Sequence, residues 1–244
     1  MKAEQLQLGL RPRPMYEAAD LGVRMTQDSV GSLRRAYLPL ALVLIVACGA
    51  TIELAPWLPS LLLWWLKPWL DRALLHIYAR QVFGESTSFA ESWSARGRRG
   101  WPQALWQLTL GRLSPWRAYS MPVVQLEGQT GAARRQRFKT LGRGHLLTAM
   151  MVQSAFASIE TILTFGAVSL VVWLTPALHS FDTLKTLFDG ELAASLAWYL
   201  GYAAAMLFVE PFFVAAGFAM YLNRRVELEA WDIEQDLRHA FAGQ

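Results

Sequence analysis

Lys67, Asp71 and Arg72 sit in the middle of an apolar stretch, PSLLLWWLKPWLDRALLHIYARQVFGE (residues 59–85), in which three leucines and two tryptophans lead directly into charge. An ionisable side chain near mid-bilayer costs about 2.5–3.5 kcal/mol on insertion scales, so it normally faces a protein partner or a wet cavity. At about 100° per residue, Lys67, Asp71 and Tyr78 share one helical face, and Arg72, His76 and Arg80 share another about 140° away. His76 and Arg80 can snorkel to headgroups, which leaves Lys67, Asp71 and Arg72 as the deep charges. The acids able to meet them are Glu160, in QSAFASIETILTFG, and Glu210, in MLFVEPFFVAAGF.

Two chemistries fit an intramembrane charge network of Lys67, Asp71, Arg72, Glu160 and Glu210. The first is a polar lock that fixes helix register, in which loss of one partner costs about 3–5 kcal/mol. The second is a proton or ion pathway, and Pro211 favours it by removing the hydrogen bond to the Leu207 carbonyl beside Glu210. Pro68 is the matching kink position in the earlier stretch. Four spans and one short outer loop leave little room for alternating access, and no inverted repeat is evident, so the lock is the expected reading.

Catalysis is not expected. The chain has no glycine-rich phosphate loop, no HExxH and no GxSxG. His76, His145, His179 and His239 lie in different segments, and Cys48 is the only cysteine, so neither a metal site nor a cofactor is expected.

These residues require an all-α, polytopic membrane helix bundle to hold them. Of 244 residues, 54% are hydrophobic and 11 are tryptophan, which exceeds an ordinary soluble domain. The predicted elements are an interfacial helix over 15–34 with an apolar stripe of Met15, Tyr16, Ala19, Val23, Val30 and Leu33, and four transmembrane helices over 36–54, 57–82, 146–174 and 192–222. A basic cytoplasmic loop covers 83–145, and a charged cytoplasmic helix covers 223–241. Within the loop, Trp101 to Leu113 reads as an amphipathic helix, Ser114-Pro115 as a helix start, and Pro122 to Gly128 as an extended piece ending in a turn. Small residues Gly201, Ala205, Ala215, Gly217 and Ala219 permit close helix contact.

Charge sets the orientation. Twenty of the twenty-one lysines and arginines outside the spans fall on one side if the chain crosses four times with both termini in the cytoplasm. The 57–82 span is the distorted one, because its second half is polar enough to be partly re-entrant. Arg134, Arg135, Arg137 and Lys139 precede the third span and are expected to contact anionic lipids, each adding about 1 kcal/mol near such a surface. The net charge of +4 is spread by this topology rule, so nucleic acid is not an expected partner.

Four motifs carry a family resemblance: Leu10-Arg11-Pro12-Arg13-Pro14 with Glu17 and Leu21; WLKPWLDR with VFGE; RLSPWRAYSMPVVQLEG; and EPFFVAAGFAMYLNRRVELEAWDIEQDLR. Over nearly its whole length the chain resembles a set of uncharacterised proteobacterial inner-membrane proteins. Its two ends are similar to the membrane domain that precedes some glycerophosphodiester phosphodiesterases, whose catalytic domain has no counterpart here. Genes of the resembled family lie beside those of MoxR-type ATPases, von Willebrand factor type A proteins, a sporulation stage II protein M relative and a transglutaminase-related membrane protein. The resemblance therefore implies a bacterial inner-membrane location and an accessory or scaffold role with membrane or cytoplasmic protein partners, or a homo-oligomer. A small ion, proton or lipid carrier is the alternative.

Overall fold

The computed structural model describes residues 13–82, 114–174 and 192–229. The expected Trp101–Leu113 helix, the loop before the last span and the tail beyond Glu229 lie outside the described residues. Within them the chain is all-helical: α1 (Met15–Asp28), α2 (Leu38–Gly49), α3 (Leu58–Gln81), α4 (Arg117–Gln125), α5 (Gly131–Gly142), α6 (Leu146–Leu174) and α7 (Leu192–Glu229). Three stretches are long and apolar enough to cross a membrane, Val30–Gly49, Leu146–Val171 and Ala194–Glu229.

The last helix organises the rest, because α1, α3, α4 and α6 all pack on α7. Small residues set these contacts. A side chain at Gly22 would strike the Ala215 carbonyl at 2.5 Å, one at Gly217 would collide with Ala118 of α4, and one at Gly201 would meet Val168 of α6 at 3.1 Å. The small-residue spacing of the last span thus serves three different neighbours.

The N-terminal helix buries only part of the expected apolar stripe, Met15, Ala19 and Leu33, as α1 runs antiparallel along α7. The Arg13 amide donates to Asn223 Oδ1 (2.9 Å), Asn223 Nδ2 donates back to the Arg13 carbonyl (2.8 Å), and farther along the Thr26 hydroxyl lies 3.5 Å from the Pro211 carbonyl. The buried face is Met15, Ala18, Ala19, Gly22 and Thr26, whereas Tyr16 and Val30 are 56% and 59% exposed. Backbone proximity to α7 selects small residues over large apolar ones, which hydropathy alone does not weigh. From α1 the chain passes through a short turn at Val30–Ser32 and a π-helical turn at Leu33–Tyr37 into α2, where the Tyr199 hydroxyl donates to the Ile45 carbonyl.

Helix α3 is 24 residues, about 36 Å, and is continuous through Pro68. Its first half exposes Leu61, Trp64 and Trp65. From Lys67 to Ala79 every residue except Trp69 and His76 is buried. A helix buried on all sides belongs to a protein interior, so its charges are enclosed by other helices.

The loop also departs from the sequence reading. Residues Arg117–Gln125 are helical, so the first four residues of the expected extended piece, Pro122 to Gln125, continue a helix instead, and α4 buries its whole run from Ala118 to Val124. It is packed into the bundle against α7, α5, α3 and α6.

Candidate functional site

The site is a chain of charges of alternating sign: Glu160, Lys67, Glu210, Arg117, Asp71. Lys67 Nζ lies 2.5 Å from Glu160 Oε2 and 2.5 Å from Glu210 Oε2. Arg117 then bridges Glu210 Oε1 at 3.3 Å and Asp71 Oδ2 at 3.0 Å. Glu210 and Asp71 are 0% and 1% exposed, so each depends on its enclosed partners for compensation in the low-dielectric interior. Four elements contribute: Lys67 and Asp71 from α3, Arg117 from α4, Glu160 from α6 and Glu210 from α7.

Arg117 is the member that the sequence reading missed. It is the first residue of α4, and its position is held from every side. The Arg117 amide donates to Gln153 Oε1 (2.8 Å), while Gln153 Nε2 donates to the Ser114 carbonyl (3.1 Å), fastening the start of α4 to α6. The Trp116 indole donates to the Leu146 carbonyl (3.0 Å), and the Tyr119 hydroxyl to the Leu141 carbonyl (2.8 Å). Gln125 closes the other end by donating to the Arg72 carbonyl (2.7 Å). The guanidinium also stacks 5.2 Å from the Phe213 ring centre, a contact that favours arginine over lysine. The usable signal was Ser114-Pro115, which announces a helix start and puts Arg117 in its first turn.

Arg72 is the correction that accompanies it. The side chain is buried, yet no carboxylate pairs with it among the described residues, and its Nη1 has no hydrogen-bond partner there. Its face, about 140° from that of Lys67, turns it away from the acids. Of the two kink positions, Pro211 uses its carbonyl to receive the Tyr78 hydroxyl at 3.0 Å, and the Thr26 hydroxyl lies 3.2 Å from the Tyr78 hydroxyl oxygen.

The basic residues before α6 divide. Arg137 is not available for lipid: it holds Glu127 through two nitrogens (Nε to Oε2, 2.8 Å; Nη2 to Oε1, 2.9 Å) and reaches Glu229 of α7 at 2.6 Å. These hydrogen bonds, to Glu127 first, hold its guanidinium still more firmly protonated than usual. The Tyr221 hydroxyl also donates to Glu127 (2.7 Å), so α5 is tethered to the end of α7. Gly128, at φ +68°, makes the left-handed turn between α4 and α5. Arg135 and Lys139 are exposed and Arg134 is half-buried.

A cavity of about 370 Å³ adjoins the Glu160 end of the chain, bounded by Trp64 and Lys67 of α3, Arg117 of α4, Phe156 and Glu160 of α6 and Phe213 of α7. Among the described residues no group of three or more His, Cys, Asp or Glu side chains is placed to hold a metal ion. No family model matches the chain, and neither a curated protein nor a solved structure matches it. What the site does is read from its geometry.

Proposed function

We propose that the protein is a non-enzymatic integral membrane scaffold or accessory subunit of a bacterial inner-membrane assembly, with four crossings and both termini in the cytoplasm. The observation that carries this reading is the alternating charge chain: each base bridges two carboxylates, so the bundle interior is a register-setting lock. A rigid interior leaves function to the outside. There, only 6% of the apolar stretch of α6 is buried against 72% for α7, so α6 offers its surroundings a wide face for lipid, a partner helix or a second copy. Arg135 and Lys139, exposed on α5, suit contact with anionic lipid. A link to a MoxR-type ATPase system rests on the family resemblance alone.

Purification of the tagged full-length chain from native membranes in mild detergent tests the reading. Stoichiometric co-purification of a membrane or cytoplasmic protein is expected. A chain recovered alone, after cross-linking as well as without it, would remove the scaffold assignment.

The second reading, a small ion, proton or lipid carrier, is favoured by the cavity beside Glu160. Proton or ion flux into proteoliposomes that is present in wild type and absent in Glu210→Gln would establish it.

A further inference from the structure

We propose that the cavity between α3, α4, α6 and α7 is a binding site for a free monovalent organic cation, with Glu160 as its counter-ion. This goes beyond the scaffold role and does not depend on it.

Charge bookkeeping at the cavity wall identifies the ligand's sign. Lys67 and Arg117 line the cavity, but each already bridges two carboxylates. Glu160 has Lys67 as its single partner among the described residues. The chain therefore alternates in sign and ends, on the cavity side, at a carboxylate with unused acceptor capacity. A cation beside Glu160 extends the alternation, whereas an anion would have to displace Glu160 or Glu210 from Lys67.

The walls identify the ligand's kind. Trp64, Phe156, Phe165 and Phe213 present aromatic surface around the carboxylate, which attracts a cation that carries its own apolar groups. The volume, about 370 Å³, lies at the small end of the roughly 300–1,000 Å³ typical of ligand pockets. Ala157 and Thr161 line the cavity and are exposed on α6, so it is reached from the outer side of that helix. Glu160 stands fourteen residues into α6, about 21 Å along it, too deep for a lipid headgroup.

The test uses the purified full-length chain in mild detergent at pH 8, with tetraphenylphosphonium as the cation and tetraphenylborate, its near-isosteric anion, as control, both followed by calorimetry. Saturable one-to-one binding of the cation is expected, with at least a tenfold weaker affinity in Glu160→Gln and affinity within a few-fold of wild type in Glu160→Asp. Thr161→Trp, which occludes the cavity while every member of the charge chain stays in place, is expected to abolish binding and keeps the test decisive if Glu160→Gln fails to fold. Equal affinity in wild type and the cavity-filled variant, tighter binding of the borate, or uptake that does not saturate would overturn the proposal.

Discussion

At the scale of single residues, Arg117 takes the place in the charge chain that sequence spacing suggests for Arg72. Replacing Arg117 by methionine leaves Asp71 without a base and Glu210 with one, both fully enclosed. A loss of about 3–5 kcal/mol is expected, measured as a lowered denaturation midpoint in detergent. Arg72→Met removes a guanidinium that pairs with no carboxylate among the described residues, so a change within about 1 kcal/mol is expected in the same measurement. In Arg117→Met combined with Asp71→Leu, removing the orphaned carboxylate should recover part of the loss, and strict additivity of the two changes would contradict the ion pair. Lys67 and its acids were legible from composition alone, since few acids lie in apolar runs. Arg117 was not, since it sits in a stretch where arginines are common and nothing local marks one of them as buried.

At the scale of elements, the docking of α4 and α5 decides whether Arg117 arrives. Gly217→Val places a branched side chain where Ala118 already is. Overpacking of this kind costs about 1–3 kcal/mol, and hydrogen exchange of α4 amides should accelerate while the Arg13–Asn223 end of α1 stays protected. Arg137→Ala severs the tether to Glu127 and Glu229. Hydrogen bonds to charged groups contribute about 1.5–3 kcal/mol, so α5 should become protease-sensitive with α6 and α7 unaffected. The apolar run over 146–174 coincides with α6, because a long apolar helix declares itself residue by residue. The extended reading failed over Pro122 to Gln125 because a proline is a weak guide where a helix is held by contacts to four neighbours.

At the scale of the whole molecule, α3 is the helix whose relation to the membrane sets the topology. Three of the described helices meet the length and apolarity of a crossing and α3 does not, yet its charged half is wrapped by α7, α4 and the turn into α2. That wrapping removes the objection to placing it in a bilayer, because enclosed charges do not face lipid. With four crossings, an alkaline phosphatase fusion in the turn between α2 and α3 should be active and a fluorescent-protein fusion after residue 244 should fluoresce. With three, the second fusion should be dark.

By itself the sequence determined the helical class, the long apolar helices, and the demand that Lys67 and Asp71 find partners of opposite charge. These follow from hydropathy and period, which are sums over neighbours along the chain. Only the tertiary structure decided that Arg117 supplies the second base, that Arg72 does not, and that α1 lies along α7 on Ala18, Gly22 and Thr26. Those outcomes depend on which backbones approach closely enough for a glycine to be required, and on side chains that lie far apart in sequence, as Lys67 and Glu160 do, meeting within a few ångströms.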